Sequence, residues 1–245
     1  MKQRISIFKI ATTFMGTVLG AGFASGQEIL QFFGYFGRAG APALALTALF
    51  FILFGTMIME TGSRLRARSY LDVVSFIAGR RLGRMIDKTV TFFLFGTLAI
   101  MLAGAGAIFS EQFGLPEYRG SLLVMTASAF TVLFGMAGVI SAMGVIIPVL
   151  LAFILFIGLG TVVHELPAAV SFPFVAEPHL APVSFWPFSS LLYASYNLVI
   201  GVGILGPLGG MVDRGLIKRG MVLGGLGIGG SALVNQTEAG YYARI

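Results

Sequence analysis

Two stretches of the chain hold most of the groups that could do chemistry. The first runs Gly16-Thr17-Val18-Leu19-Gly20-Ala21-Gly22-Phe23-Ala24-Ser25-Gly26-Gln27-Glu28 and sets an amide and a carboxylate beside closely spaced glycines. Glycine costs about 1 kcal/mol against Ala in a helix interior, so Gly20, Gly22 and Gly26 favour local unwinding wherever neighbours satisfy the freed backbone. A half-helix restarting near Ser25 has the S-x-x-E form of a capping box, in which the Ser25 hydroxyl and the Glu28 carboxylate take the new N-terminal amides. The second stretch gathers Tyr193, Ser195, Tyr196 and Asn197 and then runs through Gly201, Gly203, Gly206 and Pro207 to Gly210. Pro207 removes an amide donor, and Asn197 offers a side-chain amide that replaces a lost backbone partner or holds a polar ligand. Exposed half-helix ends give positive dipole character to an anion and bare carbonyls to a cation, a pairing suited to a zwitterion with Na⁺. A plainer reading competes at each position. The glycines would also serve as a small-residue packing face, and Glu28 would also serve only as a cap.

The elements that must position these groups are membrane spans. Hydrophobic residues make up 57% of the 245 and charged residues 11%, against about 25% charged in ordinary soluble domains; mean hydropathy is +0.93. Several apolar runs approach or exceed the ~20 residues that cross a bilayer as a helix, and none has the ~10-residue alternation of a barrel strand. The predicted spans are 6–36, 41–62, 89–109, 120–140, 141–163 and 185–210, followed by an apolar stub from 221 to 234. Both chemical stretches fall mid-span, in the first and the sixth. The fourth and fifth spans are predicted to meet in a tight hairpin around Ser141. The 164–187 connection, with His164, Glu165, Glu177 and His179 among prolines, reads as an external loop whose spacing matches no metal-ligand motif.

The formal net charge is +6, and its placement explains it. Lys2, Arg4 and Lys9 precede the first span, Arg64 to Lys88 fill the second connection, and Arg214, Lys218 and Arg219 follow the sixth. Alternating spans put these cations on one side, which predicts a cytoplasmic N-terminus in a multi-pass bacterial inner-membrane protein. These connections lack aromatic interleaving, so nucleic acid is no expected partner. The lipid bilayer is.

Other signals resolve blandly. The leader-like start, with Gly22-Phe23-Ala24 as a cleavage-site mimic, continues apolar through Phe36 and is one interrupted span. Gly201, Gly203 and Gly206 spell G-x-G-x-x-G without a surrounding βαβ unit, which excludes a dinucleotide site. Glu60 is expected to pair with Arg64 or simply to be solvated at the interface, Asp72 and Asp87 to balance loop cations, and Trp186 to anchor at an interface. There is no cysteine, and no H-E-x-x-H, nucleophile elbow or paired intramembrane aspartates point to an enzyme.

The string Gly20 to Glu28 with Gln31-Phe32-Phe33, together with the stretch from Tyr196-Asn197 to Gly210, resembles the YkvI-type bacterial membrane proteins. That family is similar to the amino acid-polyamine-organocation transporters, which share the leucine-transporter fold of two inverted five-helix repeats. The resemblance implies one transmembrane domain over 1–245, with 1–163 as the first five-helix repeat and 185–245 as the start of the second. It implies a substrate site between the breaks of spans one and six, carried here by Gly20, Ala21, Gly22, Phe23, Ser25, Gly26, Gln27 and Glu28. Tyr193, Ser195, Tyr196, Asn197, Gly201 and Gly203 would face them. Na⁺ at the backbone of Gly20 and Gly22 is the implied coupling ion, with H⁺ left open by Glu28; no other cofactor is implied. Members carry further spans, so an apparent truncation after six to seven spans is expected.

The expectation is therefore an all-α polytopic bundle that moves a small zwitterionic, amino-acid-like solute by ion-coupled alternating access. A ligand-sensing protein of the same fold that moves nothing, and an inactive truncated fragment, stand as alternatives. A Gly-rich face packs equally well within a chain or between copies, so a homo-oligomer stays open.

Overall fold

Ser6 begins the first helix by accepting the amide of Lys9. From there the computed structural model describes residues 5–24, 26–171 and 177–242, and every element among them is helical. Helix α1 (Ile7–Val18) spans 12 residues, which at 1.5 Å each is about 18 Å, so the chain leaves helical geometry roughly midway across ~30 Å of hydrocarbon. Two short helices, α2 (Ala21–Ala24) and α3 (Gln27–Phe32), complete the broken segment before a 3₁₀ turn over Gly34–Ala39. There follow α4 (Gly40–Leu65), α5 (Tyr70–Phe113), α6 (Glu117–Leu133), α7 (Gly135–Ser171), α8 (Trp186–Met211) and α9 (Arg214–Tyr242).

Among the described residues four helical segments are long and apolar enough to cross a membrane: Gly34–Leu65, Tyr70–Phe113, Gly135–Gly158 and Trp186–Met211. The core lies where α1, α4, α8 and α9 meet. Phe14 packs edge-on to Phe51 at 6.2 Å, and Ile10, Phe14, Phe51 and Leu205 are fully enclosed. Ser190 reaches Ala43 near the start of α4 while Gly206 meets Gly62 near its end, so α4 and α8 run parallel. Ile10 faces Gly220, Met15 faces Gly227 and Phe23 meets Asn235, so α1 and α9 are parallel too. The starts of α1 and α9 and the ends of α4 and α8 consequently share one end of the bundle. Lys9, Arg64, Arg66, Arg68, Arg214, Lys218 and Arg219 gather there, as the alternation of spans requires.

Several boundaries differ from the sequence expectation. The turn between the fourth and fifth spans falls at Phe134–Gly135, where Gly135 has φ 63°, and not around Ser141. Gly135 is the one residue there that enters left-handed geometry without a Cβ penalty. The 64–88 connection is largely helix. A capping box of Ser69 and Asp72 opens α5, and Asp87 accepts the Tyr70 hydroxyl, so these carboxylates hold backbone and side-chain donors and do not simply offset cations. Glu60 does pair with Arg64, at 4.0 Å. The backbone of α7 continues helical through His164 and Glu165 to Ser171, where a loop is predicted. The stub predicted over 221–234 is the middle of α9, a helix of 29 residues.

The largest correction concerns the sixth span. Helix α8 runs unbroken from Trp186 to Met211 with Pro207 inside it. Its glycines are used for packing. A Cβ on Gly209 would overlap the Met59 carbonyl, one on Gly210 the Ala67 carbonyl, and one on Gly62 the Gly206 carbonyl. Backbone-on-backbone approach of this kind is the small-residue packing of membrane helices, and here it outweighs the propensity to unwind.

Candidate functional site at the first helix break

The break in the first span has defined geometry. Leu19, the C-cap of α1, donates its amide to the Met15 carbonyl at 2.8 Å and turns to extended backbone. Gly26 adopts φ 73° as the N-cap of α3, a conformation that favours glycine, and donates its amide to the Phe23 carbonyl at 3.1 Å. The predicted cap at Ser25 is thus replaced by Gly26, and Ser25 itself lies outside the described residues. Side chains of Ala21 and Ala24 are likewise not described.

Glu28 extends from the first turn of α3 back over the break. A Cβ on Gly22 would overlap its Oε1, so the carboxylate rests against the glycine backbone. Its other oxygen, Oε2, accepts the hydroxyls of Tyr196 at 2.8 Å and Tyr193 at 3.2 Å. Tyr193 is buried, 1% exposed, inside an aromatic cage: Phe32 and Phe33 lie 5.1 Å away and Tyr196 5.4 Å, all edge-on. Such contacts add about 0.5–1.5 kcal/mol each beyond burial, and they fix the direction in which the two hydroxyls point. Ser189, Tyr193 and Tyr196 are spaced i, i+4, i+7 on one face of α8. Ser189 completes the row by donating to the Phe32 carbonyl at the end of α3, at 2.8 Å.

The remaining predicted residues separate. Asn197 is buried and donates to the Tyr193 carbonyl at 3.0 Å, one turn back on its own helix. Ser195 bonds Leu191 at 2.7 Å and lines a different cavity, between α4, α5 and α8. Gly201 lies beside Thr17 of α1, Gly203 has open space around it, and Gly20 faces Met101 of α5. Gln27 is exposed on α3. Gly22, Phe23, Gly26, Glu28, Tyr193 and Tyr196 are therefore the predicted residues that the fold brings together.

Asn235 lies just past the apolar stub expected to end at 234, on a helix that continues to Tyr242. Buried at 2% exposure, it donates to the Phe23 carbonyl at 2.8 Å, from α9 into the break. Its neighbour Gln236, also buried, presses its amide onto Gly40 at the start of α4. The only sequence signal is a pair of adjacent amides directly after an apolar run. Asn235→Ala is expected to cost about 1–3 kcal/mol by weakening the support of a buried carbonyl. It should speed amide hydrogen exchange within 20–26 while α4 exchange stays unchanged.

Chemically, the site offers a carboxylate with two phenolic donors beside backbone groups at membrane depth. It can hold or release a proton and can attract an ammonium group. No cluster of three or more metal-ligating side chains occurs among the described residues.

Two proteins of Bacillus subtilis (strain 168) are similar to this chain. An uncharacterized membrane protein, YkvI, is 32% identical over 209 residues, covering 83% of this chain and 57% of the relative. An uncharacterized protein, YyaD, is 30% identical over 200 residues, covering 80% of this chain and 54% of the relative. This chain is a helical membrane protein. It spans about half the length of the relatives it matches. No family model matches it, and no solved structure does.

Proposed function

We propose that this chain forms part of a secondary transporter for a small, amino-acid-like zwitterion, coupled to an ion gradient and working by alternating access at the first helix break. The observation that carries the reading is Glu28: an ionisable side chain within a span is costly and by default marks a substrate or ion path. It is held by Tyr193 and Tyr196 of an antiparallel helix and rests against Gly22 of the short helix α2 within the break. The continuous α8 removes a second break from this picture, so motion is assigned to the broken first span against α8. Backbone groups near Gly20 and Gly22 would receive the substrate or Na⁺, and Glu28 would carry the ammonium contact or the coupling proton. The cation-rich end would face the cytoplasm of a bacterial inner membrane.

The test is uptake of labelled amino acids by the full-length protein in proteoliposomes under an imposed Na⁺ or proton gradient. Saturable accumulation that collapses with one of the two gradients is expected, and the gradient that matters names the coupling ion. Binding without flux under either gradient would count against transport and favour a ligand sensor.

A further inference from the structure

Helix α5 bends sharply at Gly79, whose φ 76° and ψ 163° belong to a region essentially confined to glycine. The bend folds 70–78 back along 80–113: a Cβ on Gly83 would sit 3.0 Å from the Ser75 hydroxyl, and Tyr70 bonds Asp87. Between these two arms and helices α4 and α8 lies a cavity of about 370 Å³. Val74, Ile77, Ile86 and Val90 line it from α5, with Ile58 and Val199 opposite. Its single hydroxyl, on Ser195, already bonds Leu191. Such a space takes an aliphatic chain and nothing that needs a polar partner.

The elbow above the cavity is amphiphilic. Phe76 (68%), Ile77 (70%) and Met85 (66%) are exposed, interleaved with exposed Arg80, Arg81, Arg84 and Lys88. Among the described residues no carboxylate lies within ion-pair distance of those four cations, and Asp87 is engaged by Tyr70. Exposed apolar side chains within a cationic run fit a leaflet boundary, where the apolar groups enter the acyl region and the arginines meet phosphates. We infer that the Gly79 elbow is a binding site for an anionic glycerophospholipid, with one acyl chain in the cavity between α4, α5 and α8 and the headgroup phosphate on Arg80, Arg81 and Arg84.

The inference is independent of transport, and lipid titration tests it. The delipidated protein in detergent is titrated with phosphatidylglycerol or with phosphatidylcholine of the same acyl chains, and the first bound lipid is counted by intact-complex mass. Phosphatidylglycerol is expected to bind about a hundredfold more tightly, given roughly a factor of five for each of the three arginines near the surface. The triple variant R80Q/R81Q/R84Q should lose that preference, and Val199→Trp, which fills the cavity, should lose the tight site with all arginines present. K218Q/R219Q, at the same end of the bundle, should leave it intact. Equal affinity of the wild-type protein for the two lipids overturns the inference whatever the variants do. So does a preference that survives either the triple variant or the filled cavity, or one abolished by free glycerol phosphate.

Discussion

Glu28→Gln is expected to end gradient-driven accumulation by the full-length protein while leaving it folded, and Glu28→Ala is expected to lower stability as well. The difference follows from the two phenols. Gln keeps a carbonyl oxygen that accepts from Tyr193 and Tyr196, whereas Ala leaves both hydroxyls, one of them on a residue only 1% exposed, without their acceptor. An unsatisfied buried donor costs about 1–3 kcal/mol, so Glu28→Ala should cost about 2–5 kcal/mol in thermal unfolding, with Glu28→Gln near 1 kcal/mol. For transport, loss of the charge-assisted contact removes about 1.5–3 kcal/mol from whatever cation Glu28 holds, roughly a ten- to hundredfold fall in uptake at subsaturating substrate. Wild-type accumulation in Glu28→Gln would refute the assignment of the coupling role to this carboxylate. Tyr196→Phe, which removes the shorter of the two hydrogen bonds, should lower uptake by less than Glu28→Gln does.

The largest structural effect is expected where α4 and α8 touch backbone to backbone. Gly62→Val and Gly209→Val each place a side chain on a carbonyl oxygen of the facing helix, the Gly206 and Met59 carbonyls respectively. Rigid backbone cannot yield as a flexible side chain does, so each change should cost 3 kcal/mol or more, at the upper end of the about 1–3 kcal/mol typical of overpacking. Because α4 and α8 carry the core and orient Tyr193 toward Glu28, monodisperse protein should largely disappear on size-exclusion chromatography. Gly96→Ala and Gly104→Ala on α5, with nothing near the added Cβ, provide the contrast. Both should be neutral or stabilising by up to about 1 kcal/mol, since helix interiors favour Ala. Normal folding of Gly209→Val would show that the α4–α8 approach does not need a glycine there.

Two glycine-rich stretches with similar local composition end in different structures, and that contrast explains what was legible. In the first span the short helix α2 and the breaks beside it find partners: Asn235 supplies a donor to Phe23, Gly26 donates to the same carbonyl, and Glu28 packs on Gly22. In α8 the equivalent small residues meet the backbone of α4, and close packing keeps the helix intact through Pro207. Local propensity is the same weak preference in both, and the neighbouring helix decides. Asn197 illustrates the same point, since a mid-span amide is expected at a site and instead serves its own helix. Ser189, unremarked in the sequence, lies on the face that grips α3.

The residues alone establish a bundle of apolar helices with most of its cations at one end, because length, hydropathy and charge placement are properties of segments and need no partner. They also mark the first break, since Gly20, Gly22 and Gly26 weaken the helix wherever it is placed. Which polar groups meet is set by the packing of the helices. The Glu28 carboxylate, Tyr193, Tyr196 and Asn235 come from three helices separated by more than 150 residues in the first case, and their meeting depends on helix direction, rotation and the close α4–α8 approach. Pairwise contact at that range is fixed by packing, and packing is not a property that any one segment carries.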